Sequence, residues 1–142
     1  MTDEVVQLSK TGYDGIGLWR PKVVEFGDRR AADMVRKSNL AVSSLSFAGA
    51  FTGGCGFGFE EAIDDGCQAI RQAAMLGAEN LIVVGGARRM HTVRHSRRIV
   101  VEALTRMAKV AVREGVQLAL LPMHRYFARN WTFLNTLDQT LE

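Results

Sequence analysis

The chain has 142 residues, 47% hydrophobic and 23% charged, with a formal net charge of +3. That is the composition of one ordinary globular domain, large enough to bury a core. No run approaches the roughly 20 apolar residues of a membrane span. The arginines fall in small clusters (Arg88/Arg89, Arg94/Arg97/Arg98), not along a basic face with interleaved aromatics, which argues against nucleic acid and for small anions as partners. The start, MTDEVVQL, is acidic and too short of apolar residues for a signal peptide, so the expected compartment is the cytoplasm. Cys55 and Cys67 lack CxxC spacing and read as a loop thiol and a buried thiol in a reducing compartment.

In chain order, a short helix opens the sequence. Thr2 is placed to cap it, Asp3 and Glu4 suit its positive end, and Gly12 stops it. Gly15 to Trp19 (GIGLW) reads as a buried strand whose extension Pro21 forbids. Asp28 is placed to cap a second helix through Lys37, with Ala31, Met34 and Val35 inward, ending at Ser38-Asn39. Leu40 to Phe47 is a second strand. It feeds AGAFTGGCGFGF, with five glycines in residues 49–58. Glycine there serves either a mobile loop or a close backbone approach to a ligand. The GxGxxG order and the GK[ST] of a P-loop are both missing, so a nucleotide fingerprint is not supported.

Phe59 to Leu76 is a helix with Ile63, Cys67, Ile70 and Ala74 on one face and Gly77 as its stop. Asn80 to Val84 (NLIVV) is a third strand, whose continuous apolar run predicts cover on both faces. GGARRMHTVRHS follows as a loop. Ser96 to Glu114 is a long helix with Val100, Leu104, Met107 and Ala111 inward and Gly115 as its stop. Val116 to Leu121 is the fourth strand, and Asn130 is placed to cap a last helix, Trp131 to Leu141. This alternation, without a hairpin pattern, predicts an α/β fold with parallel strands and right-handed crossovers. An open doubly wound sheet fits the length, since a whole (β/α)8 barrel needs about 250 residues. Part of such a barrel fits the ends, a helix on each side without its further strand, and the two exposed sheet edges.

In parallel α/β folds functional groups gather at the C-terminal ends of strands. Here those ends carry Trp19, Arg20 and Lys22; then Ser46, Phe47 and the glycine loop; then Arg88, Arg89, His91 and His95; then His124, Arg125, Tyr126 and Arg129. Aromatic rings suit the apolar face of a sugar, and arginine and lysine suit hydroxyl, carboxylate or phosphate oxygens. His91 and His95 have helical spacing for a metal pair, but they fall in a loop and no glutamate lies between them. The strand ends carry no carboxylate; the nearest are Glu25 and Asp28. A hard divalent ion needs such oxygens, so no complete metal site is expected in the chain.

Several stretches resemble the xylose isomerase-like TIM barrels, the sugar phosphate isomerase/epimerase family that includes the endonuclease IV-type fold. They are DGIGLWRPKVVEFG (14–27), SSLSFAGAFTG (43–53), FEEAIDDGCQAIRQAAMLGAENLIVVGG (59–86) and GVQLALLPMH (115–124) followed by WTFLNTLDQTLE (131–142). The resemblance covers nearly the whole chain, read as a single partial domain over residues 1–142 lying on barrel strands two to five. It implies metal-assisted proton transfer on a ketose or related hydroxy-carbonyl sugar, using a divalent ion (Mn, Mg, Co or Zn). In the family the strand-five ligand is a glutamate in a pattern like LALEPxH. This sequence reads LALLPMH, with Leu121 at the glutamate's position and Pro122 and His124 matching.

The resemblance therefore implies a substrate-contact half, Trp19, Arg20, Lys22, His91 and His124, with no metal ligand set; a catalytic role for His124, as general base, belongs to a separate alternative, an enzyme with its own mechanism. The isolated chain is expected to be inactive. The alternatives are a non-catalytic homodimer of half-barrels, in which two four-stranded halves close eight strands, and a binding module for an anionic small molecule. The expected partner is a sugar or sugar phosphate.

Overall fold

The computed structural model describes residues 1–53 and 56–141, so the glycine-loop positions 54 and 55, including the Cys55 thiol, lie outside the described residues. Four parallel strands form one sheet: β1 (Gly15–Trp19), β2 (Ala41–Gly49), β3 (Ala78–Val84) and β4 (Gln117–Leu120). They lie in sequential order, β1-β2-β3-β4. A doubly wound sheet reverses its order at a switch point; this one does not. The helices α1 (Thr2–Lys10), α3 (Asp28–Ser38), α4 (Phe59–Leu76) and α5 (Val93–Glu114) each pack on the next, making a single layer. The molecule is an arc of a (β/α) barrel with helices outside.

The core lies between sheet and helices. Leu45, Leu81 and Val83 of the strands meet Ile70 and Ala73 of α4 and Ala103 and Met107 of α5, all fully buried. Burying each large aliphatic side chain stabilises the fold by roughly 1.5–3 kcal/mol. Gly66 lets α4 and α5 approach closely: a Cβ there would lie 2.6 Å from Met107 Cε. The other sheet face is open. Ser44, Ser46, Ile82 and Ala119 are half-buried. Cover on both faces of β3, read from its apolar run, is thus corrected: the second face is covered at Val84 but only partly at Asn80 and Ile82. Of the expected inward set, Met34, Cys67, Ala74 and Leu104 are half-buried.

Four local readings are also corrected. Met1, not Thr2, precedes the first helix, and the free amino terminus pairs with Glu4 at 3.3 Å in place of a side-chain cap. Pro21 does not merely end β1. It sits in the first turn of an additional helix, α2 (Arg20–Phe26), where a missing N–H and a fixed φ cost nothing. Asp28 is the first residue of α3, with Gly27 before it. Helix α5 starts at Val93, because Thr92 caps it by accepting the His95 N–H at 3.2 Å.

The expected helix over Trp131 to Leu141 shrinks to α6 (Leu137–Leu141). Asn130 ends a 3-10 turn (Ala128–Asn130) rather than capping a helix. The segment after it is pinned to the end of β3: the Gly86 N–H donates to Trp131 O at 2.9 Å, and the Phe133 N–H donates to Gly86 O at 3.0 Å. A helix through Trp131 would forfeit both bonds. No helix among the described residues is long and apolar enough to cross a membrane.

Candidate functional site

The C-terminal ends of β1 and β2 open into a groove of about 830 Å³. Its apolar wall is three aromatic rings: Trp19, Phe47 and Trp131. Each arrives by a distinct local cause. Trp19 is the last residue of β1 and half of it faces solvent, at 51% exposure. Phe47 sits in a β-bulge: Ser46 pairs with Ile82 and Ala48 with Val83, so Phe47 is the extra residue. Bulges re-aim a side chain beside functional sites. Trp131 is brought in by the bonds to Gly86, and its ring lies 5.5 Å from that of Phe47, tilted by 50°.

The polar wall is a connected network. Arg20 forks onto Asp65 of α4, Nη1 and Nη2 each donating at 2.7 Å to a separate carboxylate oxygen. Its Nε donates to Gln72 Oε1 at 2.7 Å, and Gln72 Nε2 donates to Asp28 Oδ2 at 2.9 Å. The network joins β1's exit to α3 and α4 and engages all three nitrogens of the guanidinium. Partial burial and bidentate geometry make such a pair stronger than a surface ion pair. Arg20 therefore stands behind Trp19 as a positioning residue; its fork faces Asp65, not the open groove.

The other expected site residues are dispersed. Lys22 lines a separate groove beside α1 and donates to Glu4 at 2.6 Å. That ammonium, with the amino terminus, holds the Glu4 carboxyl below the usual range. His91 stands in the turn before α5, its ring 4.9 Å from that of His95, whose Nδ1 lies 3.0 Å from Arg98. His124 is exposed in the turn after β4, its Nδ1 accepting the Tyr126 N–H at 3.4 Å. The aromatic groove thus gathers Trp19 and Arg20 and leaves out Lys22, His91 and His124.

Phe47 was placed among the strand-end groups from sequence; Trp131, Asp65 and Gln72 were not singled out. Gln72 carried a readable signal: it is a polar residue among apolar ones on α4, seven positions after Asp65 and so on the same face. Trp131 carried none, since its placement depends on a contact with Gly86, 45 positions earlier.

The donor set does not fit a divalent metal. Among the described residues no three His, Cys, Asp or Glu side chains are grouped to hold an ion. Leu121 is half-buried at the end of β4, its N–H donating to Val83 O at 2.8 Å, and its side chain offers no ligand atom. Asp65 and Asp28, which line the groove with the aromatic rings, are already bonded to Arg20 and Gln72.

The model of one family, the xylose isomerase-like TIM barrel, matches residues 5–142. A crystal structure of protein SMc04130 from Sinorhizobium meliloti 1021 is 34% identical, with a TM-score of 0.88, over 99% of this chain and 52% of that one. The 3-keto-D-glucoside 4-epimerase YcjR from E. coli is 16% identical, with a TM-score of 0.78, over 97% and 56%. D-allulose 3-epimerase from Methylomonas sp., solved with D-allulose, is 20% identical, with a TM-score of 0.75, over 99% and 50%. At these identities the two epimerases attest the fold alone. No curated protein matches the chain. The chain spans about half the length of these three solved structures. With its sequential parallel strands and outer helix layer, it belongs to the xylose isomerase-like TIM barrel family, as a four-stranded part of that barrel.

Proposed function

We propose that this chain supplies the substrate-contact half of a sugar isomerase/epimerase site, binding a ketose or related hydroxy-carbonyl sugar, free or phosphorylated, at the ends of β1 and β2. The observation that carries this reading is the aromatic groove. Trp19, Phe47 and Trp131 offer apolar faces to a sugar ring, and open space beside Gln68 and Gln72 remains for its hydroxyls. The family's fold is shared with epimerases acting on D-allulose and on a 3-keto-D-glucoside, which supports the substrate class.

Proton transfer between neighbouring carbons needs a polarised carbonyl and an acid–base pair. In the family reading a divalent ion (Mn, Mg, Co or Zn) supplies the polarisation, and the described residues of this chain do not form a site for one. The isolated chain accordingly binds without turnover. His91, Lys22 and His124 as further substrate contacts follow from the family resemblance, and His124 is the candidate general base should the chain turn over substrate on its own. The proposed compartment is the cytoplasm.

The open sheet face and the unpaired outer edges of β1 and β4 favour a second element of the reading, a homodimer of half-barrels. Light scattering across a concentration series tests it: a discrete dimer is expected, and a monomer at every concentration overturns it.

The chain's two tryptophans, Trp19 and Trp131, both line the groove, so intrinsic fluorescence reports on it directly. Titration with D-allulose or D-fructose is expected to give a saturable change that Phe47→Ala abolishes. No saturable change with either ketose overturns the reading.

A further inference from the structure

A second groove, of about 870 Å³, lies between the loop after β3 and the segment after β4. Three arginines line it, Arg88 and Arg89 from the first and Arg125 from the second. Among the described residues none of the three guanidinium groups has a hydrogen-bonding or ionic partner. By contrast Arg20, Arg36 and Arg106 each meet a carboxylate. Among the described residues no acidic side chain lines the groove; the remaining polar lining is neutral, with amides at Asn130 and Gln139.

Three like charges facing one concave space repel each other, and the repulsion is relieved by an anion they share. Guanidinium forks match phosphate oxygens two at a time. We infer that this groove binds a phosphoryl dianion carried on a hydroxylated body, with Arg88, Arg89 and Arg125 on the phosphoryl oxygens and the amides beside it. A carboxylate would satisfy one fork and leave the others unmatched. The site is distinct from the aromatic groove but shares its wall: Trp131 lines the one, and its neighbours Asn130 and Thr132 line the other. The inference does not depend on the sugar reading, because its probe carries no sugar.

The test is calorimetric titration of the intact chain with inorganic phosphate, with chloride at matched ionic strength as the control. Saturable binding that weakens as salt rises is expected. R88Q/R125Q should lose about tenfold or more in affinity, as expected for loss of charge-assisted bonds. Arg113→Gln, an exposed and equally charged position at the far end of α5, should change it less than about twofold. All three arginines of the groove are exposed, so their replacement leaves the core intact; Arg125→Gln alone provides a milder variant with the same expected direction. No saturable phosphate binding, equal binding of chloride, or unchanged affinity in R88Q/R125Q overturns the inference. If phosphate binds as described while ketoses do not, the anion site stands and the sugar reading falls.

Discussion

Arg20 and Asp65, 45 positions apart in sequence, meet in a two-pronged ion pair with both bonds at 2.7 Å. The pair ties the exit of β1 to the outer face of the barrel arc. Its side chains are 13% and 25% exposed, so water competes only in part. Removing one partner leaves the other short of a charge-assisted bond in a half-dry setting. Asp65→Asn is expected to lower stability by about 1.5–3 kcal/mol in urea unfolding. Arg20→Lys should recover part of that, because the charge survives and the fork does not. A loss under 0.5 kcal/mol, the scale of about one exposed pair, would place this network among ordinary surface pairs.

Gly12 and Gly86 both have positive φ, 81° and 97°, yet their replacement should differ sharply. At Gly12 an added Cβ meets nothing within 4 Å. At Gly86 it runs into Thr52 Oγ1 and the Ala50 backbone, the carbonyl carbon being 3.0 Å away. Gly12→Ala should cost about 1 kcal/mol, from the backbone conformation alone. Gly86→Ala adds a collision with backbone that cannot move aside and should exceed about 2 kcal/mol. It should also disturb Trp131, whose carbonyl accepts from Gly86, and so shift the tryptophan emission maximum. Equal losses at the two glycines would contradict the packing around Gly86.

The helix and strand alternation was legible because local chemistry agrees with the fold. Gly77 and Gly115 end their helices in the left-handed conformation. What sequence periodicity missed is non-local. Helix α2 begins with Arg20-Pro21, and a proline reads equally well as a strand stop or a helix start. Phe47 enters the groove through a one-residue bulge that leaves no mark in an apolar run. Arg20 and Lys22 were expected at the site from their position after β1, and both are claimed by acids on helices, Asp65 and Glu4. Position along the chain located the strand ends; it could not say which charges were already paired.

Arg106 of α5 forks onto Glu60 at the start of α4, at 2.8 and 2.6 Å. The hydrogen-bonded guanidinium holds the Glu60 carboxyl below the ordinary value of 4.5. The folded chain therefore binds this proton less readily than the unfolded chain. The pair's stabilisation is fully present above the unfolded value and is lost as pH falls through the depressed folded one. Glu60→Gln should lower the melting temperature at neutral pH, and the difference from the parent should close as pH drops below about 4.3. A gap that stays constant to pH 3 would mean the charge on Glu60 contributes nothing.

Leu121 provides the last test. Its backbone N–H bonds to Val83 O whatever its side chain, so a glutamate there keeps the strand ladder. Leu121 is half-buried, and exchanging it for glutamate should cost about 1 kcal/mol of apolar burial. The new carboxylate alone should not confer tight Mn²⁺ binding, because no three donor side chains among the described residues are grouped to complete a site. Calorimetric titration of L121E with Mn²⁺ is therefore expected to show no gain over the parent chain. A stoichiometric, tight gain would require donors from a second copy, and the same sample should then run as a dimer. A stability loss well above 1 kcal/mol would likewise mean that the open face of the sheet is covered in solution, since a half-buried carboxylate that reaches water carries little further desolvation cost.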